Sequence, residues 1–295
     1  MTDSTASLPS ALVRDRGLVV VPLQVVIGDE ILDEALSEEE GAEGGATPAR
    51  VAEALRGHQA VSTSRPNPAA MGRVYADLAA DGATEIVAVH LSGEVSGTVE
   101  SARVAAREAS VPVHVVDTRQ VGVATGYAAL SAAQTLDAGG SAEEAADAAR
   151  RRAASATSYF YVDTLEFLRR GGRIGAGAAL LGSALAVKPL LSITDGVVGP
   201  LERVRTTTKA LARLEELAVR DVLSAGGEGG VAVEVGVAHL ANPERAERLA
   251  AHLLERLTGE ADVELVGGEV RCVELGAVLG AHVGPGMVAV CVSPV

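Results

Sequence analysis

Strand-like and helix-like segments alternate through the first half of the chain, and that alternation narrows the fold more than any other property. Leu18–Ile27 reads as a buried strand broken by Pro22, and Glu85–Leu91 and Val113–Val116 read as further strands. Pro48–Arg56, Pro68–Ala80, Thr98–Ala109, Val123–Asp137 and Ser141–Ser155 read as helices, with Met71, Tyr75 and Leu78 on one face of the second. Glu38–Pro48 reads as an acidic, glycine-rich loop. Strands separated by helices of this length predict a parallel α/β sheet.

At Thr157 the composition changes. Four of the six aromatic residues (Tyr159, Phe160, Tyr161 and Phe167) cluster in a predicted strand and the helix after it. A glycine-rich segment runs to about Pro200, followed by a helix over Thr206–Leu223, a loop over Gly226–Gly230 and a strand over Val231–His239. Asn242 and Pro243 signal the start of a helix whose apolar stripe includes Ala246, Leu249, Leu253 and Leu257. Short strands at Val263–Val266, Val270–Leu275 and Val288–Val292 complete a pattern expected of a separate α+β domain beginning near residue 157.

Several function classes are disfavoured by composition. The net charge of −14 argues against a bulk electrostatic footprint for nucleic acid or an anionic membrane surface. With 2% aromatic residues and no tryptophan, a base-stacking platform has little to build on. Hydrophobic residues at 48% exclude disorder over most of the length. The two cysteines, Cys272 and Cys291, form no CxxC. Met1–Pro9 has no apolar core of a signal peptide, and the longest small-and-apolar run, Ile174–Val187, is shorter than the roughly 20 residues that span a bilayer. A soluble, cytoplasmic protein without stable membrane insertion is the expectation.

No P-loop, HExxH, GxSxG or strand-linked GxGxxG occurs, and the six histidines show no metal-ligand spacing. A Ser–His–Asp set assembled across the fold stays open as an alternative. What stands out are hydroxyl-rich clusters ahead of helices: V-S-T-S-R-P-N-P at Val61–Pro68 and L-S-G-E-V-S-G-T at Leu91–Thr98. Thr63, Ser64 and Ser96 offer hydroxyls, and Gly97 lets a ligand approach the backbone. Either cluster could be simple N-capping, or an anion site at the carboxyl end of a strand. From Asp163 to Lys209 seven basic residues face four acidic ones, against the acidity of the whole. That segment is either a solvated face or a receptor for an anion or an acidic partner. Ala281–Gly286, A-H-V-G-P-G, sets His282 beside a rigid turn.

Taken in order, D-S-T-A-S-L-P (Asp3–Pro9), T-S-R-P-N-P (Thr63–Pro68), S-G-T (Ser96–Thr98), D-T-L-E-F-L-R-R-G-G-R-I-G (Asp163–Gly175), K-P-L-L (Lys188–Leu191), R-V-R-T (Arg203–Thr206) and H-V-G-P-G (His282–Gly286) resemble the DegV family over nearly the whole chain. With the alternation above, the resemblance gives the expected fold. It is α/β in two domains, an N-terminal parallel-sheet α/β domain over 1–156 and a C-terminal α+β domain with a mixed sheet over 157–295, with the ligand site between them. The resemblance implies a FakB-type carrier that binds one long-chain fatty acid, such as palmitate or oleate, and presents it to a fatty acid kinase for phosphorylation to an acyl phosphate. It implies no cofactor, no metal and no catalytic residue of the chain's own. By position, Thr63 and Ser96 would hold the carboxylate, with Ser64, Gly97, His282 and Arg173 around it, and Arg205 would face the kinase.

The chain departs from the family pattern at Arg65 and Asn67 (usually T-S-Q-P-S-P), at Gly93 in place of a second serine, at Val99 in place of tyrosine, and at Ala281 in place of threonine. The family also begins with a strand before D-S-T, so the natural protein is expected to carry several apolar residues ahead of Met1. Small residues over Gly175–Ala186 could leave a channel for a hydrocarbon chain. The competing reading is an enzyme acting on a small phosphorylated or acyl substrate, with the basic segment as its anion site.

Overall fold

The structure is a computed structural model and describes residues 1–64, 67–174, 188–226 and 230–295. Its elements run β1 (Thr2–Asp3), α1 (Ser10–Asp15), β2 (Val20–Val21), β3 (Gln24–Ile27), β4 (Glu30–Asp33), α2 (Glu38–Ala42), α3 (Pro48–Arg56), β5 (Val61–Ser64), α4 (Pro68–Ala80), β6 (Ile86–His90), α5 (Thr98–Ala106), β7 (Val113–Asp117), α6 (Val123–Asp137) and α7 (Ala142–Ser155). They continue with β8 (Thr157–Tyr161), α8 (Glu166–Arg170), β9 (Lys188–Thr194), β10 (Val197–Val204), α9 (Thr207–Gly226), β11 (Val231–His239), α10 (Pro243–Thr258), β12 (Val263–Glu274), α11 (Ala277–Val283) and β13 (Val288–Pro294).

Three sheets organise these elements. The N-terminal part carries the expected parallel sheet, in the order β2-β1-β6-β7. All five residues of β6 are buried, as a strand covered by helices on both faces requires. The two-residue strand β1 lies between β2 and β6, and the buried Asp3 that ends it accepts from His90 Nδ1 at 2.8 Å and from the Thr5 hydroxyl at 2.5 Å. The C-terminal part carries a mixed sheet, β10-β9-β8-β13-β11-β12, with β11 and β12 parallel and the other pairs antiparallel. A separate antiparallel sheet, β4-β3-β5, was not foreseen.

Other local departures have clear causes. The Glu38–Pro48 segment contains α2, capped by Ser37 accepting from Glu40 N–H and carrying glutamates in its first turn, where the helix dipole favours them. Within the glycine-rich stretch, β9 and β10 form a hairpin through Asp195-Gly196, both at positive φ (53° and 83°). The two strands expected at 263–275 are one strand, with the register shift falling where Gly267 and Gly268 take positive φ. Asn242 precedes α10 as expected, but its side chain donates to the Gly286 carbonyl at 2.8 Å and does not cap the helix. The Gly175–Ala186 segment and Arg65 lie outside the described residues.

One face of the six-stranded sheet packs under α9 and α10, where Tyr161, Val288, Val290, Leu214 and Leu253 form a core. The opposite face carries Phe160, Ala289, Ala238 and Cys291 toward the N-terminal part. Among the described residues, no helix is long and apolar enough to cross a membrane.

Candidate functional site

A cavity of about 340 Å³ lies against that second face of the mixed sheet, within the range of small-molecule sites. Register explains its floor. Phe160 and Ala238 pair with Ala289, and Ser158 and Gly236 pair with Cys291. Residues two apart on a strand share a face, so these two rows both line the cavity. Ala238 and Ala289 leave room that larger side chains would fill, whereas Gly236 makes room for α6, since a Cβ there would meet Val123 and the Tyr127 hydroxyl. Leu23, Leu91 and Val95 from the N-terminal part and Val278, Leu279 and Val283 from α11 complete apolar walls.

The polar groups collect where β5, the loop before α5, α11 and the loop after α8 meet. Thr63, Ser64, Ser96, Gly97, Arg173 and His282 all line the cavity. Thr63 Oγ1 lies 2.8 Å from His282 Nε2, across a sequence separation of 219 residues. Ser64 donates its hydroxyl proton to Gln24 Oε1 at 3.0 Å, so that proton is committed within the three-stranded sheet. The Ser96 hydroxyl sits 2.9 Å from Thr98 Oγ1 at the start of α5. Arg173 donates from Nε to the Val95 carbonyl at 3.0 Å and from Nη1 to the Gly171 carbonyl at 2.6 Å, which ties the loop carrying Ser96 to the loop after α8.

These contacts separate the two readings of the hydroxyl clusters. Thr63 is not a helix cap: Asn67 caps α4, accepting from Ala70 N–H at 2.8 Å, and Thr63 is turned to His282. Its strand also belongs to the antiparallel sheet, not to the parallel one whose strand ends were expected to hold both clusters. The second cluster does follow a parallel strand, β6. Ser96 keeps part of a capping role, since it also accepts weakly from Thr98 N–H at 3.4 Å.

Burial, with a smaller contribution from the Arg173 charge, lowers the His282 pKa from 6.5 to about 4, so the imidazole is neutral near pH 7. Its Nδ1 is buried with no hydrogen-bond partner among the described residues and faces Gly171, where a Cβ would overlap the ring. With the ring proton on Nδ1, an N–H would be left unbonded close to a guanidinium. With the proton on Nε2, His282 donates to Thr63 Oγ1 and the Thr63 O–H is free to point into the cavity. The second tautomer therefore turns Thr63 into a donor for an anion.

The family departures fall around this site with structural roles of their own. A Cβ at Gly93 would press on Asp117 Oδ2 at 2.8 Å, while Val99 and Ala281 are buried apolar residues. Arg205 lies on the exposed turn between β10 and α9, outside the cavity lining. Within the basic segment Arg170 pairs with Glu166, and Lys188 with Asp163 at 3.0 Å. Among the described residues no group of three or more His, Cys, Asp or Glu side chains could hold a metal ion. Sequence reasoning missed α11 as an element and, with it, the buried Glu34 carboxylate at its start.

The profile described as "Uncharacterised protein, DegV family" matches residues 1–295. A DegV domain-containing protein of Streptomyces coelicolor is 50% identical over 99% of this chain and 97% of its own. One from Deinococcus radiodurans is 36% identical over 100% and 97%. Among solved structures, a DegV family protein from Thermus thermophilus, described by its fatty acid binding, superposes with a TM-score of 0.85 at 32% identity, covering 100% of this chain and 98% of its own. DegV from Bacillus subtilis, described as a fatty acid binding protein, superposes with a TM-score of 0.85 at 29% identity and the same coverage.

Proposed function

This chain belongs to the DegV family, and on that premise we propose that it binds one long-chain fatty acid, such as palmitate or oleate, in the cavity beneath Thr63 and His282. The observation that carries the reading is the Thr63–His282 pair at the polar end of a cavity floored by Ala238 and Ala289. The fatty-acid binding of the Thermus and Bacillus relatives supports it. A C16 acid carries about 14 methylenes worth ~0.8 kcal/mol each, roughly 11 kcal/mol gross. Lost translation and rotation, an estimated 4–15 kcal/mol, oppose that gain, and the carboxylate must be satisfied on burial. Hydroxyl donors at Thr63 and Ser96, with Gly97 allowing close approach to the backbone, meet that need.

The chain then acts as a carrier and leaves the chemistry to a separate fatty acid kinase, which converts the bound carboxylate to an acyl phosphate. Arg205, exposed and away from the cavity, belongs to the face offered to that kinase. Native mass spectrometry of the freshly purified protein, followed by lipid extraction, tests the reading. One fatty acid per chain is expected, and the methyl ester of that acid should bind poorly. An empty protein that binds ester and acid equally would refute it.

A further inference from the structure

Helix α11 has seven residues, too few to be stable on its own, and its N-cap Gly276 supplies no side-chain cap. Its position must come from what holds it. The helix packs against α3, α8, β3 and β5, and its two ends are bonded to one scaffold, the three-stranded sheet and the residue that directly follows β4. Near its end, His282 meets Thr63 on β5 at 2.8 Å. In its first turn, the Val278 N–H donates to Glu34 Oε1 at 2.9 Å. Val278 and His282 are four residues apart, one above the other on the same helix face.

Glu34 is built into this role. It is only 2% exposed, and its own backbone is fixed by donation to the Leu23 carbonyl at 2.8 Å and by a bridge to Ala46. Its Oε2 has no partner among the described residues. A Cβ at Gly276 would collide with Oε1, so the helix start can reach the carboxylate only because residue 276 is glycine. Burying a carboxyl group this far is costly, and a surface cap would serve helix stability alone. Anchoring the helix that carries His282 gives the burial a purpose.

We propose that Glu34 is a positioning residue for the carboxylate site, holding the first turn of α11 so that His282 stays against Thr63. Its effect on binding rests on the fatty-acid reading above, whereas its effect on the imidazole does not.

The test compares wild type, Glu34→Ala, Glu34→Gln and Leu253→Ala by imidazole 15N spectra of the ligand-free protein and by calorimetric titration with oleate. Glu34→Ala should move the His282 ring resonances and weaken oleate by roughly fivefold or more, the size of one lost hydrogen bond. Glu34→Gln keeps an oxygen for the Val278 N–H and should restore both. Leu253→Ala, in the core under α9 and α10, should lower the unfolding temperature without moving the ring. If Glu34→Ala does not fold, Gly276→Ala presses on the same carboxylate from the helix side and takes its place. Unmoved His282 resonances, failure of Glu34→Gln to rescue, or an equal shift in Leu253→Ala would each overturn the proposal. A wild type that binds no oleate would refute the fatty-acid reading instead, and the ring spectra would still decide the role of Glu34.

Discussion

Replacing Glu34 by glutamine should expose a pH dependence of stability that the wild-type chain conceals. Burial, reinforced by the nearby Asp3 charge and offset by the Val278 amide that donates to Oε1 and by the neighbouring Ser4 hydroxyl and Ala277 amide, raises the Glu34 pKa from 4.5 to about 7. Between those values the unfolded chain has released a proton that the folded chain keeps, so this group makes stability fall as pH rises. His282, lowered from 6.5 to about 4 by burial and then by Arg173, does the opposite. Between those values the unfolded chain holds a proton that the folded chain lacks, and stability rises with pH. Each displacement corresponds to about 3 kcal/mol, and the two windows overlap from 4.5 to 6.5, so the slopes largely cancel. Relative to wild type, Glu34→Gln should gain about 3 kcal/mol between pH 4.5 and 7.5, and His282→Gln should lose about as much between pH 4 and 6.5. Urea denaturation followed by circular dichroism across that range measures both differences. A flat difference between wild type and Glu34→Gln would show that the folded protein does not hold the Glu34 proton, and the argument would fail.

Thr63→Val and Ser96→Ala should each weaken fatty-acid binding by roughly tenfold to a hundredfold, since hydrogen bonds to a charged group are worth about 1.5–3 kcal/mol. The double variant should lose less than the sum, because both hydroxyls serve one carboxylate, and calorimetry would show it. Gly171→Ala forces the His282 ring off Thr63; the imidazole should then titrate closer to 6.5 in an NMR pH series and affinity should drop about tenfold, one hydrogen bond plus local repacking. Arg205→Ala should leave affinity within about twofold, ~0.4 kcal/mol, yet slow phosphorylation by a cognate kinase, more so at low salt; unchanged turnover would remove Arg205 from the docking face.

The legible parts of the fold were those with local signals. Helices α3, α4, α7 and α10 announced themselves by proline or serine at their starts, and α6 by its alanine-rich run. The β9–β10 hairpin carried a signal too, Asp-Gly between two apolar runs, but the surrounding glycines masked it. Strand β1 is too short for any periodicity, and α11 is seven residues containing a glycine, so neither shows a pattern. The site divides the same way. Thr63, Ser96 and His282 stood out as motif residues, and the structure brings them to one cavity. Glu34 sits in an acidic stretch where nothing local distinguishes it from solvated neighbours; its partner, Val278, lies 244 residues away.

Long-range packing also gives the two most distinctive motifs a common explanation. A Cβ at Gly284 would overlap the Phe167 ring, one at Gly286 would overlap Asp163, and one at Gly171 would overlap His282. The D-T-L-E-F-L-R-R-G-G and H-V-G-P-G segments are therefore one interface, and Gly171, Gly284 and Gly286 are places where the other segment lies. Gly284 and Gly286 are at φ of 75° and 92°, so the turn there needs glycine for its backbone as well. A site assembled this way has little freedom at its polar end, where donors must be fixed in advance to offset the desolvation of a carboxylate. The apolar end needs only volume, and the small side chains of Ala238 and Ala289 supply it. Substitutions at the motif glycines should accordingly cost affinity for every chain length alike, whereas changes at Ala238 or Ala289 should discriminate between chain lengths.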